Sequence, residues 1–263
     1  MSNQEPSGVQ SVRRAVSILE MLADGDGERG VTEVGRRLGV HKATASRLLS
    51  TLAEGGLVER SPSTEKYRLG VRLISLAGAA LAGIDLLRDA RPVLEDLAER
   101  TGETVNLALP ADDGVLNVDQ VTSTRSVVSI SWVGRRTPYH CTANGKVFLA
   151  FGGEEERERL LALPLEACTP RTIVNAEELR NQLMEVRARG YARTTEELEE
   201  GLSAVAAPVR DAREVVIAAV SVAGPTFRMR ASELPRIGGM VKDAAAAISR
   251  RMGYSEGRQS VGR

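Results

Sequence analysis

One segment constrains the fold of this chain more than any other: LGVHKATASRLLSTLAEGGLVER, from Leu38 to Arg60. Ala45, Leu48, Leu49 and Leu52 fall at i, i+3, i+4 and i+7, the apolar stripe of one amphipathic helix. Gly39 just upstream suits the positive φ of a tight turn, and Gly55-Gly56 stop the helix. Val31, Val34 and Leu38 mark a short preceding helix, with Glu33 in its first turn, where an acid suits the helix dipole. Val12, Ala15, Val16, Leu19 and Leu22 share one face of a longer helix that DGDGERG (24–30) breaks. After the glycines, two β-prone runs, LVER and KYRLG, flank the turn-rich SPST. Helix, helix, tight turn, helix, hairpin is the order of a winged helix-turn-helix.

The apolar stripe leaves Lys42, Ala43, Ser46 and Arg47 on the outer side of the helix. In a helix-turn-helix, that N-terminal region of the second helix enters the major groove. Lys and Arg pair with phosphates or guanine edges, and Ser and Thr bond to bases or backbone. The candidate DNA-binding residues are Arg36, Arg37, His41, Lys42, Ala43, Thr44, Ser46 and Arg47, with Arg60, Lys66 and Arg68 on the hairpin. A plain amphipathic helix with a solvated face would not need the tight turn, the Gly-Gly stop and the basic hairpin as well. Net charge offers no help: Lys plus Arg and Asp plus Glu are both 35. Residues 1–84 hold 11 basic and 9 acidic residues, leaving 24 and 26 beyond, so the two parts carry +2 and −2. The signal is a local basic face, with four basic residues and no acid between Arg36 and Arg47.

At 263 residues the expectation is two domains. Val71 to Gly83 reads as a helix whose small residues admit a close neighbour. Beyond it, LLRDARPVLEDLAERTG is an amphipathic helix ending at Gly102. TVNLAL, VLNVDQV and RSVVSISWV read as strands, NGKVFLAF and EELRNQLMEVRARG as helices. GLSAVAAPV and VVIAAVSVAG read as two buried strands around the turn RDARE, and a final helix spans roughly residues 233–252. Strands interspersed with helices predict an α+β, sensor-like domain. The expected layout is a disordered tail at 1–10, the DNA-binding domain at 11–70, a linker helix at 71–84, the effector domain at 85–252 and a flexible tail at 253–263.

These segments together resemble the IclR family of bacterial transcriptional regulators over residues 10–252. SVRRAVSILEMLA resembles the family's first helix, and VTEVGRRLGVHKATASRLLSTLAEGGLV its reading motif. YRLGVRLISLAGAAL resembles the end of the wing and the linker helix. GRRTPYHCTANGKVFLAF resembles the Gly-Lys signature, and EELEEGLSAVAAPVRDAREVVIAAVSVAGP the effector-domain strand pair. The resemblance implies a GAF-like C-terminal domain that binds a small organic metabolite. It also implies a homodimer or dimer of dimers on double-stranded operator DNA.

By the same resemblance the effector-binding positions are Ala143, Asn144 and Gly145 on the Gly-Lys loop, Thr194, and Ala204, Ser221 and Ala223 on the strands. Amides at a helix start just after Gly145 would suit an anion. Thr194 stands where keto-acid-binding members carry an acid, and Ala204 and Ala223 replace polar side chains, so the expected pocket is rather apolar. The regulator is expected to be a repressor, with an activator as the alternative.

Rival readings carry less. An enzyme would need a clustered base and nucleophile, yet there are two histidines and no GxSxG. A protein-binding winged helix would not need the basic face. Cys141 and Cys168 match no metal or redox spacing, and His140-Cys141 and Trp132 read as packing. The acidic run EELEE (196–200) reads as a solvated face. No catalytic residue, metal or cofactor is expected. The N-terminus lacks an apolar signal segment, and the uncharged run Leu73–Ile84 falls short of the ~20 residues of a membrane span. A cytoplasmic protein is the expectation.

Overall fold

A computed structural model describes residues 9–23, 27–76, 85–122 and 131–255 of the chain. Its contacts divide it into two units, Met1–Ile84 and Asp85–Arg263. In the first unit, helices α1 (Gln10–Ala23), α2 (Val31–Arg37) and α3 (Lys42–Glu54) close around Ile18, Leu22, Val34, Ala45, Leu49 and Leu52. The turn between α2 and α3 uses Gly39 at φ 64°, and Val40 N–H donates to the Gly35 carbonyl at 2.9 Å. Gly56 at φ 70° ends α3. Strands β1 (Val58–Arg60) and β2 (Tyr67–Leu69) then pair antiparallel, with Val58 and Tyr67 closing the core. Backbone bonds between Arg29 and Tyr67, at 2.9 and 2.8 Å, add a rung that the sequence did not advertise.

One expectation is corrected in α1. The buried stripe is Ile18 and Leu22, whereas Val12 and Val16 are 60% and 49% exposed. Periodicity puts Val12, Ala15, Val16, Leu19 and Leu22 on one face, and of these Leu22 is buried while Ala15 and Leu19 pack half-buried against the core. Of the expected linker helix, residues 72–76 are helical, and 77–84 lie outside the described residues. So do residues 125–130 of the expected strand RSVVSISWV, and residues 1–8 and 256–263 of the expected tails.

The second unit begins with α4 (Asp85–Thr101) and is built on one six-stranded sheet. Its strands are β3 (Thr104–Ala111), β4 (Gly114–Val121), β5 (Arg136–Thr137), β6 (Ala192–Thr195), β7 (Leu202–Arg210) and β8 (Val216–Pro225). They lie in the order β5-β4-β3-β8-β7-β6, and every pairing is antiparallel. Helices α5 (Ala143–Phe151), α6 (Glu154–Leu161) and α7 (Ala176–Arg189) follow β5, and α8 (Leu234–Arg251) follows β8.

Side chains alternate across the sheet, and directly paired residues share a face. One face carries the rows Val105–Val222–Val205 and Leu107–Val220–Ala207, all essentially inaccessible. Helices α8 and α4 pack on the sheet and on each other. Ala108, Ala206 and Ala219 cluster instead with Val147 and Phe148 of α5 and Leu179, Leu183 and Val186 of α7. Both faces are therefore covered, and alanines on the second face let α5 approach closely. Trp132 and Val133 are not in a strand, for a turn at Val133–Gly134 closes with Arg135 N–H on the Trp132 carbonyl at 2.9 Å.

Candidate nucleic-acid interface and ligand cavity

His41 holds the N-cap position of α3 with extended backbone and no side-chain cap. Its carbonyl accepts the N–H groups of Thr44 and Ala45. The amides of Lys42 and Ala43 donate to no acceptor among the described residues, so the positive end of α3 is open to an anion. Around that end Arg36, Arg37, His41, Lys42, Ala43 and Arg47 are exposed, and Thr44 and Ser46 are half-buried. Arg36, Lys42, Arg47 and Lys66 have no carboxylate partner among the described residues. The other cations are paired on the surface: Arg37 with Glu33 at 3.6 Å, Arg60 with Glu65 at 3.2 Å and Arg68 with Glu59 at 2.7 Å. Such exposed pairs contribute only about 0–1 kcal/mol, so a phosphate can displace the carboxylate.

In the second unit, register builds a cavity. The rows Asn106–Ser221–Ala206 and Ala223–Ala204–Thr194 run across neighbouring strands on the face toward α5. Asn106, Thr194, Ala204, Ser221 and Ala223 line an open-mouthed cavity of about 60 Å³. Cys141, Thr142, Ala143 and Asn144 close it at the start of α5, with Asn117, Trp132, Thr137, Leu198 and Leu202 completing the wall.

The start of α5 is set by hydrogen bonds. Thr142 caps the helix, its hydroxyl accepting from Gly145 N–H at 3.0 Å and donating to the Pro138 carbonyl at 2.8 Å. This revises the expected anion site. The Gly145 amide is already used, and Lys146 N–H donates to the Thr142 carbonyl. The amides without an acceptor among the described residues are those of Ala143 and Asn144, before Gly145 rather than after it. Gly145 itself is not on the cavity wall. A Cβ there would lie 2.2 Å from the Tyr139 carbonyl oxygen, so the position keeps α5 tight on the preceding segment.

Six of the seven expected effector positions thus meet around one space, and the wall is more polar than their sequence suggested. Asn106 and Asn117 supply carboxamides from β3 and β4, and both are buried. The Asn106 and Asn144 side-chain oxygens have no hydrogen-bond partner among the described residues. The hydroxyls of Thr194 and Ser221 likewise have none there. Trp132, expected to be core packing, is half-buried on the wall, with the Arg135 guanidinium 5.6 Å from its ring centre. Among the described residues no lysine or arginine lines this space.

Behind the cavity lies an ion pair that corrects the solvated reading of EELEE at Glu197, while Glu199 and Glu200 are exposed as expected. Glu197 is buried and its two oxygens lie 2.6 and 2.5 Å from Nζ of Lys146, a side chain with no exposure. Burial is the main influence on both groups, lowering the lysine pKa and raising that of the carboxyl, while each partner's charge opposes the shift. Burial likewise raises the Cys141 thiol. His140 donates its Nε2–H to the Glu166 carbonyl at 2.9 Å, which fits its reading as packing. No group of three metal-ligating side chains occurs among the described residues.

A winged helix-turn-helix with an open basic end, in one chain with a pocketed α/β unit, defines a ligand-responsive DNA-binding regulator. The family described as IclR helix-turn-helix domain matches residues 11–62, and the one described as bacterial transcriptional regulator IclR C-terminal matches residues 78–250. The chain belongs to the IclR family of transcriptional regulators, with a helix-turn-helix DNA-binding domain and a C-terminal effector-binding domain. It is 35% identical to the HTH-type transcriptional regulator KdgR of Escherichia coli over 97% of both chains. It is 32% identical to the transcriptional repressor IclR of Escherichia coli, covering 92% of this chain and 89% of that one. Among solved structures, an IclR homologue from Microbacterium hydrocarbonoxydans complexed with 4-hydroxybenzoate superposes with a TM-score of 0.81. It is 29% identical and covers 94% of this chain and all of that one. These relatives are regulators, and no helix among the described residues is long and apolar enough to cross a membrane.

Proposed function

We propose that the chain is a repressor, acting in the cytoplasm, that binds a near-palindromic operator as a homodimer and is released by a small metabolite. The open N-terminus of α3, beside Lys42, Arg36 and Arg47, which have no carboxylate partner among the described residues, supports the first half of that reading. Lys42, Arg47 and the amides of α3 meet bases and phosphates, with Ala43, Thr44, Ser46 and His41 against the groove. Arg36, Arg37, Arg60, Lys66 and Arg68 follow the flanking backbone. A relative of similar length bears the name of a repressor, which favours that sign of regulation.

Dimerisation follows from the apolar stripe that α1 leaves uncovered. Val9, Val12 and Val16 recur at i, i+3 and i+7 and are 67%, 60% and 49% exposed. Beyond the hairpin, residues 72–76 are helical, and Val71 and Ile74 there are also exposed.

The observation that carries the effector half is the set of polar groups around one cavity that have no partner among the described residues: Asn106, Asn144, Thr194 and Ser221. A buried unsatisfied polar group costs about 1–3 kcal/mol, which a ligand with matching groups recovers. The amides of Ala143 and Asn144 receive an oxygen, and the carboxamides and hydroxyls select a ligand rich in hydroxyl groups, such as a small hydroxy acid. Trp132 and Ala204 accommodate its carbon frame. The bound homologue shows that 4-hydroxybenzoate, itself a hydroxy acid, enters one relative.

The test is a thermal-shift screen of the full chain against hydroxylated organic acids, neutral polyols and aromatic acids, followed by footprinting upstream of its own gene with each hit. Hits among hydroxy acids that remove a two-half-site footprint support the reading. A ligand that leaves the footprint unchanged or strengthens it reverses the sign of regulation.

A further inference from the structure

Cys141 and Cys168 stand 27 positions apart, yet their sulphur atoms lie 3.7 Å from each other. Cys141 is fully buried on the cavity wall, and Cys168 is exposed. We propose that the two form an oxidisable dithiol, in which a peroxide oxidises Cys168 and Cys141 converts the product to an intrachain disulfide. The inference stands apart from the ligand reading above.

The division of labour follows from access. Peroxide reaches the exposed Cys168, whose thiolate attacks the O–O bond. An S–O bond forms, the sulphur gives up two electrons, and the departing oxygen leaves as water after taking up a proton. The resulting sulfenic acid faces the Cys141 sulphur. Attack by the Cys141 sulphur on the Cys168 sulphur forms the S–S bond and breaks the S–O bond, and the hydroxide leaves with the Cys141 proton as a second water. Two thiols and one peroxide thus give one disulfide and two waters. Burial keeps Cys141 protonated and shielded from peroxide, so it serves as the second thiol rather than the first.

Geometry makes closure feasible. A disulfide needs sulphurs about 2.05 Å apart, so the pair must close by less than 2 Å. Cys141 is fixed immediately before the Thr142 cap of α5, whereas Cys168 lies in the segment 162–175, which has neither helix nor strand. That segment is already held close: Thr172 Oγ1 accepts from the N–H of Cys168 at 3.0 Å and donates to the Glu197 carbonyl at 2.6 Å. With no third ligand beside them among the described residues, the two sulphurs do not form part of a metal group. The bond would tie the 162–175 segment to the end of α5 that forms one wall of the cavity.

The experiment uses the reduced full chain, briefly treated with hydrogen peroxide and then alkylated under denaturing conditions. The expected product has lost about 2 Da, resists alkylation at both cysteines and runs as a single chain on a non-reducing gel. Its digest contains the Cys141 and Cys168 peptides joined, and dithiothreitol reverses every change. Cys168→Ser should leave Cys141 unoxidised at the same peroxide dose. Cys141→Ser should instead carry Cys168 on to the sulfinic acid, a gain of about 32 Da, or link two chains. Because Cys168 is exposed, its variant reports even if the Cys141 variant fails to fold. Wild-type chain that gains oxygen without forming the internal bond, or that links only to a second chain, overturns the proposal. So does rapid oxidation of Cys141 in Cys168→Ser.

Discussion

Lys146 Nζ lies 2.6 and 2.5 Å from the two carboxylate oxygens of Glu197, 51 positions on, and neither side chain is more than 7% exposed. The pair joins the first turn of α5 to the turn between β6 and β7, the two edges of the cavity. Its charges are desolvated, and each compensates the other. Removing one partner strands a buried charge, which typically costs about 3–5 kcal/mol, whereas replacing both with apolar residues of like size is often neutral or stabilising. Glu197→Ala alone should therefore lower unfolding stability sharply. Lys146→Met with Glu197→Leu should recover most of the loss. Urea unfolding of the double variant and of its two component singles, Lys146→Met and Glu197→Leu, measures this, and a double variant as unstable as the sum of both singles would contradict the pairing.

Gly145→Ala should destabilise the second unit without touching the cavity wall. The new methyl would meet the Tyr139 backbone carbonyl at 2.2 Å, and backbone cannot swing aside as a side chain can. Overpacking of this kind typically costs about 1–3 kcal/mol. A lowered melting temperature is expected, and an unchanged one would mean that α5 shifts freely relative to the segment ending at Tyr139.

Arg47→Ala and Lys42→Ala should separate base reading from charge. Both residues are exposed and have no carboxylate partner among the described residues, so neither change should alter folding. If Arg47 grips a guanine edge, its loss should cost about 1–3 kcal/mol and relax the preference at one base pair. Loss of a phosphate contact at Lys42 should weaken all sequences alike and lower the salt slope by about 1. Gel-shift titrations at several salt concentrations with matched and altered operators distinguish the two patterns.

Ser221→Ala and Asn106→Ala should blunt the response to the effector while leaving DNA affinity without effector unchanged. The two residues are directly paired across β3 and β8 and share the cavity wall. Losing a matched polar contact to a ligand corresponds to roughly 5- to 150-fold weaker binding at about 1–3 kcal/mol. Calorimetric titration with the hits of the metabolite screen provides the measurement. Wild-type affinity in both variants would remove this row from the ligand site.

Val12→Asp should yield a folded chain of lower oligomeric state. Val12 is 60% exposed in the single chain, so the charge disturbs no core, but it would be desolvated in a paired α1 stripe. Sedimentation velocity with circular dichroism checks both expectations, and an unchanged sedimentation coefficient would place the dimer contact elsewhere.

The winged helix was legible because its signals are local. The stripe Ala45, Leu49, Leu52, the glycine at positive φ in the turn and the glycine stop each act within a few residues. The six effector positions that meet at the cavity were reached through resemblance rather than periodicity, since nothing nearby in sequence links Asn144 to Ser221. Asn106 escaped because a polar residue alternating with Val105 and Leu107 reads as the wet face of a one-sided sheet. Here α5 covers that face too, so the same pattern buries a carboxamide.

Glu197 shows the same limit more sharply. In EELEE it has four acidic or apolar neighbours and no basic one, and local composition assigns the run to solvent. Only the fold brings Lys146 to it, just as only the fold brings Cys168 to Cys141. Local signals in the sequence settled α1–α5, α7 and α8, the strands β7 and β8 and the basic face, because backbone preference and apolar periodicity are properties of neighbouring residues. The tertiary structure alone decided which polar groups lose water together, because desolvation depends on what the whole chain packs against each side chain.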